Sequence, residues 1–111
     1  MRPNLAGVLA LIVLPCVVQA ADTPPPITTG DFVAKCQTDI QWCVESIIHN
    51  QDLDLVMSTL GAPRYFCIPP DLSAKDRTAP VMAYVAQHAD PAEPPYKSLR
   101  VAATALWPCN R

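Results

Sequence analysis

Five cysteines and two histidines are the residues whose types could carry covalent or metal chemistry: Cys16, Cys36, Cys43, Cys67, Cys109, His49 and His88. A catalytic thiol needs a free cysteine activated by a neighbouring base. A tetrahedral zinc site is usually built from close pairs such as Cys-x-x-Cys. Between the last four cysteines the intervening gaps are six, 23 and 41 residues, which supply no such pair. Two lone histidines are more often surface or helix-end residues than members of a site. The remaining use for four cysteines is two disulfides, which requires that the chain enter a compartment where thiols oxidise and that Cys16 be removed.

The N-terminus predicts both. Arg2 gives a short positive start, LAGVLALIVLPCVVQA from Leu5 to Ala20 is an apolar run, and Val18-Gln19-Ala20 has the small-residue spacing that signal peptidase reads. Residues 1–20 are expected to be a signal peptide cleaved after Ala20, with the mature chain secreted into the periplasm. The run is short for a bilayer span of about 20 residues, and no second one follows, so no membrane span is expected in the mature chain. Cys16 follows Val13-Leu14-Pro15, a poor lipidation signal because lipid-modified cysteines prefer a small residue before them.

Removing 20 of 111 residues leaves 91, with seven Lys/Arg against ten Asp/Glu, a net charge of −3. The positive residues are scattered and form no basic stripe, which argues against a nucleic-acid partner. A chain of this length makes one domain whose core needs covalent staples or oligomerisation.

Proline punctuates that domain. Residues 21–29, with Pro24-Pro25-Pro26, read as an extended proline-rich tether. Residues 30–111 read as an all-α domain, a small disulfide-stapled bundle of about four helices. GDFVAKCQ puts Phe32, Val33 and Cys36 on one side of a short helix, with Thr29 or Asp31 as its cap. Ile40, Cys43, Val44, Ile47 and Ile48 mark an amphipathic helix from Asp39, and its stripe resumes at Leu53, Val56, Met57 and Leu60. That segment reads as one helix with a bend or as two short ones, ended by Gly61 and Pro63. Ser73 of SAKD caps a third helix, and Pro80 should kink it or tighten its first turn. His88 to Pro95, HADPAEPP, is a loop; Pro94 or Pro95 opens a last helix in which Tyr96, Leu99, Ala103 and Leu106 align.

This map constrains the disulfides. Residues seven apart on a continuous helix are separated by about 10.5 Å of rise, beyond the roughly 4.4–6.8 Å between Cα atoms that a disulfide allows. Pairing Cys36 with Cys43 therefore demands a turn between them, which Gln37-Thr38-Asp39 can supply. Cys36 with Cys43 and Cys67 with Cys109 is the favoured arrangement, and the two crossed arrangements stay open.

These residues carry a resemblance. An early cysteine, a second one opening a helix in WCVESII, then FCIPPDLSAKDRTAPVMAYVAQHAD and a terminal ALWPCNR together resemble the Rap/Tai family of type VI secretion immunity proteins. The similarity spans residues 30 to 109, and Phe66 to Pro69, Val81 to Asp90 and Trp107 to Cys109 are its most specific parts. It departs from the family after the second cysteine, where CVESIIHN carries Ser46 and His49 in place of the usual Tyr and Gly. The resemblance implies a periplasmic, disulfide-bonded all-α domain, commonly a homodimer. It also implies a partner: a cell-wall amidase effector whose active site the domain blocks.

An inhibitor of that kind is not itself an enzyme and requires no cofactor or metal. The sequence contains no GxSxG, HExxH or glycine-rich phosphate loop. What an inhibitor requires is a rigid scaffold and a segment that loses little entropy on docking. HADPAEPPY is the candidate segment, with Asp90, Glu93 and Tyr96 as the candidate partner-binding residues; its plainer reading is a solvated connector. Trp42 and Trp107 read as packing residues or as aromatics of a dimer contact. An alternative class is a periplasmic acid-stress chaperone, which exposes apolar surface when acid protonates its carboxylates.

Overall fold

The computed structural model describes residues 27–109; the expected signal peptide and most of the expected tether lie outside the described residues. Four α-helices account for the regular structure described: α1 Thr29–Thr38, α2 Ile40–Thr59, α3 Ala74–His88 and α4 Pro95–Leu106. The fold is all-α, as the periodicity predicts, and each helix touches the other three.

Helix α1 begins one residue before the expected domain boundary. Thr28, in extended conformation, caps it by accepting from the Asp31 N–H, so Thr29 belongs to the folded domain and not to the tether. The turn expected over Gln37-Thr38-Asp39 contracts to one residue. Asp39 leaves helical geometry at φ −145° and ψ 84°, and it serves both helices. Its N–H donates to the Lys35 carbonyl, its carbonyl accepts from Cys43 N, and its carboxylate caps α2 at Trp42 N, 3.1 Å away. That single break lets Cys36 and Cys43 approach to 4.8 Å between Cα atoms and form the first disulfide.

Helix α2 runs unbroken for 20 residues through the polar Asn50-Gln51-Asp52. Gln51 is buried rather than breaking the helix, because its amide donates to the Arg77 carbonyl at 2.9 Å and accepts from Arg77 Nε at 3.0 Å. The helix stops in a Schellman motif: Ala62 N–H reaches the Met57 carbonyl, Gly61 N–H reaches Ser58, and Gly61 adopts φ +107°. Helix α3 is capped by Ser73 at Asp76 N and stays α-helical through Pro80, so the expected change of helix type is not seen. Pro95 occupies the first turn of α4, where a missing N–H costs nothing.

The core is small. Phe32, Cys36, Cys43, Ile47, Val81, Val85, Leu99 and Ala102 pack together, with Trp42 and Trp107 half-buried against them. Phe32 and Trp42 sit 5.3 Å apart between ring centroids, and Lys35 lies over the Trp42 ring at 4.7 Å. Met82 places its sulfur 3.2 Å from Cys43 Sγ, covering the first bridge. Phe66 is fully buried and anchors the segment between α2 and α3. Beside it, Cys67 donates its N–H to the Trp107 carbonyl at 2.7 Å and is bonded to Cys109, with Cα atoms 5.0 Å apart. Both expected pairings are thus present, and all four cysteines are structural.

Candidate partner-binding loop

The loop between α3 and α4 is shaped by its own sequence. Ala89 leaves the helix in extended conformation at φ −81° and ψ 149°, and Pro91 disfavours helical backbone at Asp90, the residue before it. The Asp90 carboxylate accepts from Ala92 N at 2.9 Å and the Glu93 N–H returns to the Asp90 carbonyl at 3.0 Å. This is a β-turn with proline at its second position and an Asx contact inside it. Pro94 then leads into α4, and its carbonyl accepts from Lys97 N and Ser98 N.

The start of α1 holds that turn from behind. Thr29 N–H donates to the Glu93 carbonyl at 2.8 Å and Gly30 N–H to the Pro91 carbonyl at 3.0 Å, so the loop satisfies two of the donors that a helix N-terminus leaves open. Thr29 Oγ1 also donates to the Glu93 carbonyl, at 2.9 Å. A hydroxyl has one proton, so the 2.7 Å contact between Thr29 and Ser98 is Ser98 donating to Thr29. Thr29 and Ser98 are both buried. Nothing in the spacing of these residues advertised this clasp, because it joins positions 64 and 69 residues apart.

The candidate residues divide between two surfaces. Asp90 and Glu93 are neighbours and edge a cavity of about 180 Å³ with Tyr84, His88, Lys97 and Val101. Glu93 pairs with Lys97 at 3.2 Å, an exposed i,i+4 contact of small energetic weight. Tyr96 points to the other side of α4, where it edges a groove of about 370 Å³ together with Trp42, Ser46, His49 and Asn50. Glu93 lies before α4, whereas Tyr96 is its second residue: Lys97, Ser98 and Val101 are the α4 residues on the cavity side, and Tyr96 is turned about 100° from Lys97.

One further cluster escaped the sequence. Arg100 of α4 binds Asp54 of α2 through Nε and Nη2 at 3.1 and 2.9 Å and lies 4.1 Å from the Tyr65 ring centroid. The hydrogen bonds to Asp54 raise the guanidinium pKa further above its ordinary value. Because the folded value lies above the unfolded one, this contribution is fully present below the unfolded value and constant across neutral pH.

No family model, curated protein or solved structure matches the chain.

Proposed function

We propose that the chain is a periplasmic immunity protein that binds and inhibits a type VI secretion peptidoglycan amidase, protecting the cell that makes it. The observation that supports this reading most is the loop from Asp90 to Pro94: stiffened by proline, closed by its own turn and clasped by Thr29 and Gly30. A segment ordered before it meets a partner loses little entropy on docking, which is the property an active-site plug requires. Its front carries Asp90 and Glu93, whose carboxylates suit a polar or cationic catalytic groove. The two disulfides fit an oxidising compartment such as the periplasm.

The test is titration of any cell-wall amidase found encoded beside this chain's gene. Stoichiometric inhibition that weakens when Asp90 and Glu93 are neutralised supports the reading.

One feature favours the second reading, an acid-stress chaperone: Leu53, Val56, Met57 and Leu60 lie exposed on α2. A chaperone would suppress aggregation of many unrelated proteins near pH 3, whereas an immunity protein binds one enzyme at neutral pH.

A further inference from the structure

The groove between α2 and α4 lies apart from the loop's cavity, across α4 from Asp90 and Glu93. Its floor is α2, where Trp42, Ser46, His49 and Asn50 fall within an arc of about 100° and span about 12 Å of helical rise. Its wall is α4, which contributes Tyr96, exposed, and Leu99, buried. At about 370 Å³ the groove falls within the range of small-molecule sites, roughly 300–1,000 Å³.

What distinguishes the groove is unused hydrogen-bonding capacity. Among the described residues, the side chains of Ser46, His49 and Asn50 and the Tyr96 hydroxyl have no hydrogen-bond partner within the chain, although Ser46 and Asn50 are half-buried. Further along the same helix the polar side chains are committed, Gln51 and Asp52 to Arg77 and Asp54 to Arg100. Trp42 is already held, by Phe32 beside it and Lys35 over its ring. A ring fixed in advance loses little freedom when a ligand packs against it.

The lining selects the class of ligand. Among the described residues no Lys or Arg lines the groove, so a phosphate or a nucleotide would find no counter-charge there. The carboxylate at its edge, Glu45, already accepts from Gln41 at 3.3 Å and offers a cation a single anchor. A purely apolar occupant would strip water from Ser46 and Asn50 and replace none of its hydrogen bonds. A sugar ring meets both demands, since its C–H face packs on an aromatic ring while its hydroxyls donate to and accept from amide, imidazole and hydroxyl groups. We propose that this groove binds a short neutral saccharide, stacked on Tyr96 against the Trp42 end and hydrogen-bonded by Ser46, His49 and Asn50. The inference does not rest on the inhibitor reading, whose loop lies on the other side of α4.

The test uses protein exported from the full chain and purified oxidised, titrated with cellotetraose and with the tetramer of N-acetylglucosamine while amide NMR shifts are followed. At least one of the two should saturate, with the largest shifts at Ser46 to Asn50 and Tyr96. Tyr96→Ala and Asn50→Ala should each weaken binding about tenfold or more with unchanged helical circular dichroism. Tyr96→Phe should retain most of the affinity, because it keeps the ring, and Val56→Ala, beyond the groove on α2, should retain all of it. No saturable shift with either saccharide would overturn the proposal, as would shifts centred on the Asp90 to Lys97 cavity or equal binding by Tyr96→Ala and Asn50→Ala. No amidase is present in this titration, so its failure would leave the inhibitor reading to its own test.

Discussion

One carbonyl oxygen, that of Glu93, accepts both the backbone N–H and the side-chain hydroxyl of Thr29, at 2.8 and 2.9 Å. This double contact ties the first turn of α1 to the loop before α4, and Ser98 completes it from inside the core. Thr29→Val keeps the shape of the side chain and removes the hydroxyl. The variant should lose about 1–3 kcal/mol, because the buried Ser98 hydroxyl loses its acceptor. That corresponds to a melting temperature lower by roughly 4–8 °C per kcal/mol. Amide exchange at Glu93 should rise more than in α2; an unchanged melting temperature and exchange pattern would show that the clasp is dispensable.

The two bridges should contribute unequally. In the chain-entropy view, a closure spanning 42 residues stabilises by about 4 kcal/mol, and one spanning seven residues by about 2.5 kcal/mol. Cys67→Ser with Cys109→Ser should therefore lower the melting temperature more than Cys36→Ser with Cys43→Ser, by calorimetry under identical conditions. Denatured, unreduced wild-type protein should show no titratable thiol, and two or more would contradict the pairing.

Much of this architecture is legible in the chain, for identifiable reasons. Ser73 and Asp76, Gly61, and Pro95 mark helix ends by local chemistry, and local chemistry needs no tertiary partner to act. The need for a break between Cys36 and Cys43 follows from helical rise alone. Apolar period is less informative where a helix has two apolar faces: Ile47 and Val56 obey the same repeat, and only the placement of α3 and α4 decides which is covered. The loop was recognisable from its prolines, but its clasp was not, since Thr29 and Ser98 are ordinary residues until the fold joins them. Proximity in sequence groups Tyr96 with Asp90 and Glu93, but α4 begins between them and turns Tyr96 toward α2.

Asp54 and Arg100 join α2 to α4 with paired geometry, and Asp54 is largely covered. A double-mutant cycle with Asp54→Ala and Arg100→Ala should give a coupling energy of about 1 kcal/mol, near the upper end for pairs with a partly exposed member. Arg100→Lys should recover only part of it, because an ammonium cannot reproduce the two-point contact. A coupling energy near zero would assign the pair no role in joining the helices.

Gly61 ends α2 at a backbone angle that side chains disfavour, φ +107°. Gly61→Ala should destabilise by roughly 1–2 kcal/mol through left-handed strain, although nothing lies within 4 Å of the position to clash. Urea denaturation with an unchanged midpoint would show that the helix end relaxes without cost.

The central claim is that the loop from Asp90 to Pro94 plugs an amidase. The most direct measurement is inhibition, on peptidoglycan, of any cell-wall amidase found encoded beside this chain's gene, titrated with wild-type protein and with Asp90→Asn plus Glu93→Gln. That double variant keeps an acceptor for Ala92 N while removing both charges. The wild type should inhibit with an affinity of about 1 nM or better, near −12 kcal/mol, and the variant should be at least a hundredfold weaker with an unchanged melting temperature. An amidase that stays fully active in excess wild-type protein, or that is inhibited equally by the variant, would contradict the account.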